Sequence, residues 1–176
     1  MNLEQKLKAI IRDVPDFPKP GILFKDITPL MADPQLCQQM VNQIMIDFKG
    51  KKIDGIAGIE SRGFLIGMPL AMALNVPFIL VRKKGKLPYK TISHAYELEY
   101  GTAEVEMHVD SILPGQQILI HDDLLATGGS ASAAAELILK QNGLIAGFSF
   151  LVDLSFLNGQ NRIKNYSENI STLVRF

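Results

Sequence analysis

The sequence predicts an α/β fold, an open and mainly parallel sheet flanked by helices, and three observations lead there. Short apolar runs alternate with amphipathic, helix-like segments, the pattern of a parallel sheet wound through crossover helices. Two of the runs, ending at Ile59 and Ile120, pass into glycine-bearing turns that open helices. No internal repeat, linker or low-complexity tract divides the 176 residues, a length that suits one α/β domain able to bury roughly 70% of its unfolded surface.

From the amino terminus, Asn2 is placed to cap an amphipathic helix with Leu3, Leu7, Ile10, Ile11 and Val14 on one face, which Pro15 ends. Residues 15–21 are too proline-rich for regular structure, and Ile22 to Ile27 resumes as a short extended segment before Thr28-Pro29. Asp33-Pro34 starts a second helix that runs to about Phe48. Ile53 to Ile59 is a glycine-containing apolar strand, Gly63 to Asn75 a helix, and Pro77 to Val81 another strand. Between Arg82 and His94 the patterning fails. This basic span reads as a mobile loop flanked by an antiparallel ribbon of Ala95 to Tyr100 and Ala103 to Val109. Gln117 to Ile120, led by Pro114-Gly115, is a short buried parallel strand, and Ser130 to Lys140, rich in Ala, Leu and Ile, is the helix after it. Ile145 to Leu154 forms a further strand and Ser171 to Phe176 a last, peripheral one.

Bulk properties exclude several classes. Eighteen basic and eighteen acidic residues give no net charge, so electrostatics recommends neither nucleic acid nor a membrane surface as partner. A single cysteine, Cys37, has no internal disulfide partner. No signal-like amino terminus and no bilayer-length apolar run is present, and a reducing cytoplasm is the expected location. His94, His108 and His121 fit no zinc spacing.

The chemistry concentrates at Asp122-Asp123-Leu124-Leu125-Ala126-Thr127-Gly128-Gly129-Ser130. Here an apolar run ends in two carboxylates and then a glycine-rich turn into a helix. In open α/β sheets this carboxyl edge is where ligands bind, and the free amides of a helix N-terminus favour a phosphate. Gly128 and Gly129 let successive N–H groups converge on phosphate oxygens, and Thr127 and Ser130 add hydroxyl donors. Adjacent carboxylates repel phosphate, so Asp122 and Asp123 face something else, and vicinal sugar hydroxyls are natural partners. The pattern asks for a sugar carrying a phosphate. Neither a G-x-x-x-x-G-K-S/T loop nor a G-x-G-x-x-G turn after a strand occurs. A capped turn beside a solvated acidic pair is the plain alternative.

This segment resembles the phosphoribosyl-diphosphate (PRPP) motif of type I phosphoribosyltransferases, in the form carried by the adenine-specific members, and the resemblance extends over nearly the whole chain. It implies the type I phosphoribosyltransferase fold over residues 1–176, with residues 1–30 contributing a small hood over the base, and a homodimer. Glu60-Ser61-Arg62, taken alone an ordinary turn with a surface arginine, matches the family's diphosphate loop, where a nonproline cis peptide falls at the position of Glu60-Ser61. The basic loop matches one that closes over PRPP. By the same resemblance Lys86 and Arg62 contact diphosphate, and Arg82 reaches the diphosphate of the neighbouring subunit, whereas Lys83, Lys84 and Lys90 read as a solvated face. Glu99 and Tyr100 match a Glu-Tyr pair whose glutamate is the proposed proton-transfer group; Glu97 reads as an outward acid.

Base recognition is implied for backbone groups at Leu23 and Lys25, for the ring of Phe24 stacked on one face, and for Leu154 on the other. From pattern alone Phe24 is a core residue. Lys25 stands where many relatives have arginine, and His121 where they have an apolar residue, commonly valine. Members that take 6-oxopurines carry an acid at the position of Ala126 and a later lysine, whereas here the first is alanine and the region around Val152-Asp153-Leu154 offers no such lysine, which favours adenine. The implied reaction joins PRPP to adenine N9, giving AMP and diphosphate, with Mg²⁺ carried by PRPP near Asp122 rather than held in a dedicated cage. A phosphoribosyltransferase for another base and a noncatalytic PRPP-binding regulator are the other readings. Regulators of this fold usually add a DNA-binding domain or a basic face, which this neutral chain lacks.

Overall fold

The computed structural model describes residues 1–97 and 101–176. Its chain order is α1 (Leu3–Ile10), β1 (Arg12–Pro15), β2 (Leu23–Asp26), α2 (Pro34–Asp47), β3 (Gly55–Ile59), α3 (Gly63–Leu74), β4 (Phe78–Lys83), β5 (Thr91–Glu97), β6 (Thr102–His108), β7 (Gln117–Leu125), α4 (Gly129–Lys140), β8 (Leu144–Asp153), α5 (Gly159–Ile163) and β9 (Ile170–Arg175). Strands β5-β6-β4-β3-β7-β8-β9 form one sheet in that order, and β1-β2 form a separate hairpin. The pairs from β4 through β3, β7 and β8 to β9 are parallel, while β6 is antiparallel to both β4 and β5. This is the predicted α/β architecture.

Two apolar clusters cover the sheet. Leu7, Met40, Ile44, Ile66 and Leu70 pack from α1, α2 and α3 against Leu119 and Leu151. Ala134, Leu137 and Ile138 of α4 pack with Ile118, Ile120, Phe148 and Phe150 on the opposing residues of β7 and β8. The alternation of Ile118, Leu119 and Ile120 between the two clusters follows from the two-residue period of a strand. Asn2 caps α1 with its side chain on the Gln5 amide while Gln5 reciprocates, and Asp33 accepts from the amides of Gln35 and Leu36 at the start of α2.

Four boundaries differ from the sequence reading, each for a physical reason. Helix α1 stops at Ile10, and residues 12–15 pair antiparallel with 23–26. The residue before a proline avoids helical backbone, so Val14 is predisposed to extend, and Ile10 and Val14, four residues apart, satisfy either period. Strand β4 runs on to Lys83 and β5 starts at Thr91, leaving only Lys84–Lys90 as loop. Charge does not stop the ladder because Glu60 pairs with Arg82 and Glu104 with Lys84, each at 2.9 Å. Strand β7 continues to Leu125, so Asp122 and Asp123 lie within it, held by pairing to Phe150, Val152 and Asp153 of β8. The short helix α5 and the 3₁₀ turns at Thr28–Ala32 and Ser155–Leu157 were not anticipated.

At the base of β8 the pairing skips Ala146, with Ile118 opposite Ile145 and Leu119 opposite Gly147. A Cβ on Gly147 would sit 2.5 Å from the Asn169 carbonyl and 2.6 Å from the Phe48 ring. Gly147→Ala is expected to destabilise the protein by about 1–3 kcal/mol through this overpacking, measured as a drop in the urea midpoint at constant slope.

Candidate active site

The functional residues gather at the carboxyl ends of β3, β4, β7 and β8, where a parallel sheet leaves its loops free. The β3–α3 turn holds Glu60, Ser61 and Arg62, and the Glu60–Ser61 peptide is cis. Gly63 opens α3 directly against β7. A Cβ there would lie 2.9 Å from Asp122 Oδ1 and 3.0 Å from the His121 carbonyl, so only glycine lets the two elements approach this closely. That approach brings the Arg62 Nε–H within 2.6 Å of Asp123 Oδ2. The same guanidinium lies 5.5 Å from the Phe24 ring centre.

Asp122 and Asp123 are 7% and 5% exposed. Burial, reinforced by the neighbouring Asp123 charge, raises the Asp122 carboxyl well above its ordinary value. The Asp123 amide donates to Asp122 Oδ1 at 2.9 Å. Beyond them Gly128 adopts left-handed backbone (φ 78°) immediately before α4, and no side chain caps the first amides of that helix. An uncapped N-terminus next to hydroxyl-bearing Thr127 and Ser130 is a ready anion cradle.

On the opposite wall Arg82 donates to Glu60 Oε1 at 2.9 Å and to the Lys86 carbonyl at 2.9 Å. The Arg82 hydrogen bond, with the Lys83 amide, holds the Glu60 carboxyl below its usual range despite partial burial. Glu106, which pattern reasoning did not single out, is buried on β6 and accepts from the Lys86 and Leu87 amides and the Thr91 hydroxyl. Burial alone would raise its carboxyl, but the Leu87, Gly85 and Lys86 backbone bonds outweigh it and lower it. These bonds tie the start of the basic loop to β6. Its only local signal was an acid in an alternating strand, which ordinarily reads as solvated.

Two cavities meet at this edge. One of about 540 Å³ is lined by Glu60–Arg62, Lys83, Lys86, Tyr96 and residues 122–131. The other, about 780 Å³ and largely apolar, is lined by Leu23, Lys25, Leu154, Phe156 and Phe176. Ala126 and Thr127 border both. Leu23, Lys25 and Leu154 thus come together as expected, whereas Phe24 packs edge-on against Phe17 at 5.1 Å and under Arg62. The Lys25 ammonium pairs with Asp13 at 2.6 Å and lies 4.0 Å from the Phe176 ring, tying the hairpin to the end of β9. Glu99 and Tyr100 lie outside the described residues. Among the described residues no group of three or more His, Cys, Asp or Glu side chains could hold a metal ion, and no helix is long and apolar enough to cross a membrane.

A phosphoribosyl transferase domain model matches residues 25–167, and the chain belongs to that family. Its relatives include the adenine phosphoribosyltransferase of Cytophaga hutchinsonii, 49% identical over 99% of this chain and 96% of that one. That of Sorangium cellulosum is 59% identical over 88% of this chain and 77% of its own. The solved adenine phosphoribosyltransferase of Thermoanaerobacter pseudethanolicus superposes with a TM-score of 0.95 at 46% identity, covering 99% of this chain and all of that one. The Saccharomyces cerevisiae enzyme, solved with adenine and an imino-altritol bisphosphate, gives a TM-score of 0.89 at 39% identity over 97% and 98% of the two chains. Within the family these relatives place the chain among the adenine phosphoribosyltransferases.

His121 is fully buried one residue before the acid pair, its Nδ1 2.6 Å from the Ser149 hydroxyl, against α3 at Gly67. Burial lowers its pKa from 6.5 to about 4. Between those values the unfolded chain binds a proton that the folded chain refuses, so this histidine's contribution falls as pH drops through that window. Asp122, with a raised folded pKa, acts in the opposite sense. Relative to wild type, His121→Val is expected to lose about 2 kcal/mol less stability between pH 7 and pH 5, read from urea unfolding at both pH values, where the paired comparison cancels the Asp122 contribution.

Proposed function

We propose that this protein transfers the 5-phosphoribosyl group of PRPP to N9 of adenine, giving AMP and diphosphate with inversion at the anomeric carbon. The observation that carries this reading is the meeting of the two cavities at Ala126–Thr127. An anion cradle and acid pair suited to a sugar phosphate open there directly onto an apolar chamber suited to a purine.

In the reaction the anomeric C–O bond breaks with its electron pair leaving on diphosphate, and the C–N9 bond forms on the opposite face. Positive charge then grows on the ribose ring, beside Asp122 and Asp123, and negative charge on diphosphate, met by Arg62 and Lys86. The amides of residues 127–130 hold the 5-phosphate. Glu99 accepts the proton that N9 gives up, or passes it to another ring position. Backbone groups of Leu23 and Lys25 read the adenine edge, leaving the Lys25 ammonium to Asp13, and Leu154 covers the ring. An alanine at position 126 keeps a 6-oxopurine from gaining a specific partner, and adenine avoids the roughly 1–3 kcal/mol cost of facing an unmatched donor. The acid pair suits Mg²⁺ shared with substrate phosphates, which when bound supplies further neutralisation of the leaving diphosphate.

Helix α3 exposes Leu65, Met68 and Met72, the last 69% exposed, along one face. A helical apolar stripe of this kind calls for a partner surface, and a second copy of the chain is the occupant we propose, in line with the homodimer implied by resemblance. A dimer would also give Arg82, committed to Glu60 in the single chain, a second subunit's site to serve. Met68→Glu is expected to shift the protein from dimer to monomer in sedimentation velocity at micromolar concentration; an unchanged dimer would place the interface elsewhere.

The reaction itself is tested by chromatographic detection of AMP from PRPP and adenine, with and without Mg²⁺, beside hypoxanthine, guanine, xanthine and uracil. AMP from adenine only is the expected result, and no nucleotide from any base would favour the regulator. Asp123→Asn is expected to lower kcat by about 10²-fold in a protein that still folds, as read by circular dichroism. Wild-type turnover in the folded variant would remove Asp123 from the mechanism.

A further inference from the structure

Tyr96 was not among the residues singled out by motif, yet it reaches the phosphoribosyl cavity from an unexpected side. It lies on β5 opposite Ala103 of β6, and it lines the same cavity as Arg62, Lys86 and Asp122. Its ring sits against the start of α4. A Cβ on Gly129 would be 3.0 Å from Tyr96 Cδ2, so the second glycine of the cradle is the space the tyrosine needs. The ring is half-buried and packed with the apolar cluster under α4, which holds it beside the cradle. Among the described residues that hydroxyl has no hydrogen-bond partner. Partial burial, then the Asp122 charge, holds the phenol above its ordinary pKa. It therefore stays a donor throughout the neutral range.

A protonated, unpartnered donor on a residue that lines a cavity suited to a polyanionic sugar has one evident use. We infer that Tyr96 donates a hydrogen bond to a phosphate or ribose oxygen of PRPP, positioning the phosphoribosyl group between the acid pair and the cradle. The inference rests on the proposed function. It adds a substrate-binding residue that comes from the ribbon rather than from any of the loops at the parallel edge. It also couples that ribbon, just before Glu99, to the first turn of α4.

The test compares wild type, Tyr96→Phe and Tyr96→Leu by steady-state kinetics with PRPP, Mg²⁺ and adenine, alongside thermal melting. Phenylalanine keeps the ring against Gly129 and removes only the hydroxyl. Loss of one hydrogen bond to a charged ligand is expected to raise the KM for PRPP about tenfold or more in Tyr96→Phe, with the KM for adenine and the melting temperature unchanged. Tyr96→Leu is expected to lose PRPP affinity and thermal stability together. If Tyr96→Phe matches wild type in the KM for PRPP, the hydroxyl has no such role and the inference is overturned, while wild-type AMP formation leaves the proposed function standing. If wild type itself forms no nucleotide, the proposed function falls and this inference with it.

Discussion

Two adjacent carboxylates within a buried strand impose the constraint around which this site is organised. Asp122 and Asp123 sit at the end of β7 with almost no contact with water, where two like charges side by side are costly. The protein relieves this in two ways. Asp122 is driven toward its neutral form by burial and by its neighbour, and Asp123 receives the Arg62 guanidinium at 2.6 Å. The second solution requires α3 to begin directly against β7, which the absence of a side chain at Gly63 allows. A loop and a strand end 61 residues apart in sequence become one site because a charge needs a countercharge.

The sheet order converts that pairing into a cleft. Strands β4, β3, β7 and β8 are parallel neighbours, so their carboxyl ends, with Arg82, Glu60, the acid pair and Asp153, open on one edge. The antiparallel strands β5 and β6 approach the same edge from the side and contribute Tyr96 and Glu106. Helix α5 supports the cradle from behind. A Cβ on Gly159 would fall 2.2 Å from the Ala126 carbonyl, and one on Gly128 would fall 2.8 Å from the Gly159 carbonyl. The turn that joins the two cavities is thus pressed between backbones, and its shape follows from two glycines meeting across it.

What was legible in the sequence was whatever a local period or a strand-to-helix glycine turn decides. Strand β3, helices α2, α3 and α4, and strand β8 fall within a few residues of their expected bounds because glycine, proline and polar turns bracket each apolar run. Strand β1 reads as helix from sequence because Ile10 and Val14, four residues apart, fit both periods, and the tie is broken by pairing with residues 23–26. The motif residues 60–62 and 122–130 were found, since glycines and acids at a strand end have few structural uses. Their mutual contact was not, because nothing local says that Arg62 lies on Asp123. Glu106 and Tyr96 escaped for a related reason: on an alternating strand an acid reads as solvated and a tyrosine as packing, and only long-range register brings the loop amides to one and the cradle to the other.

The arginines of this site are already engaged before substrate arrives. Arg62 is held by Asp123, Arg82 by Glu60, and Lys84 by Glu104. Among the described residues the pair with Asp123 uses Arg62 Nε alone, and a guanidinium carries five N–H donors in a planar fork. In the proposed reaction its two amino groups are therefore available to a leaving diphosphate while Nε stays on Asp123. The acid pair keeps its countercharge as the sugar approaches, so the contact that relieves two buried carboxylates in the free protein is the same one that would hold a cation at the leaving group.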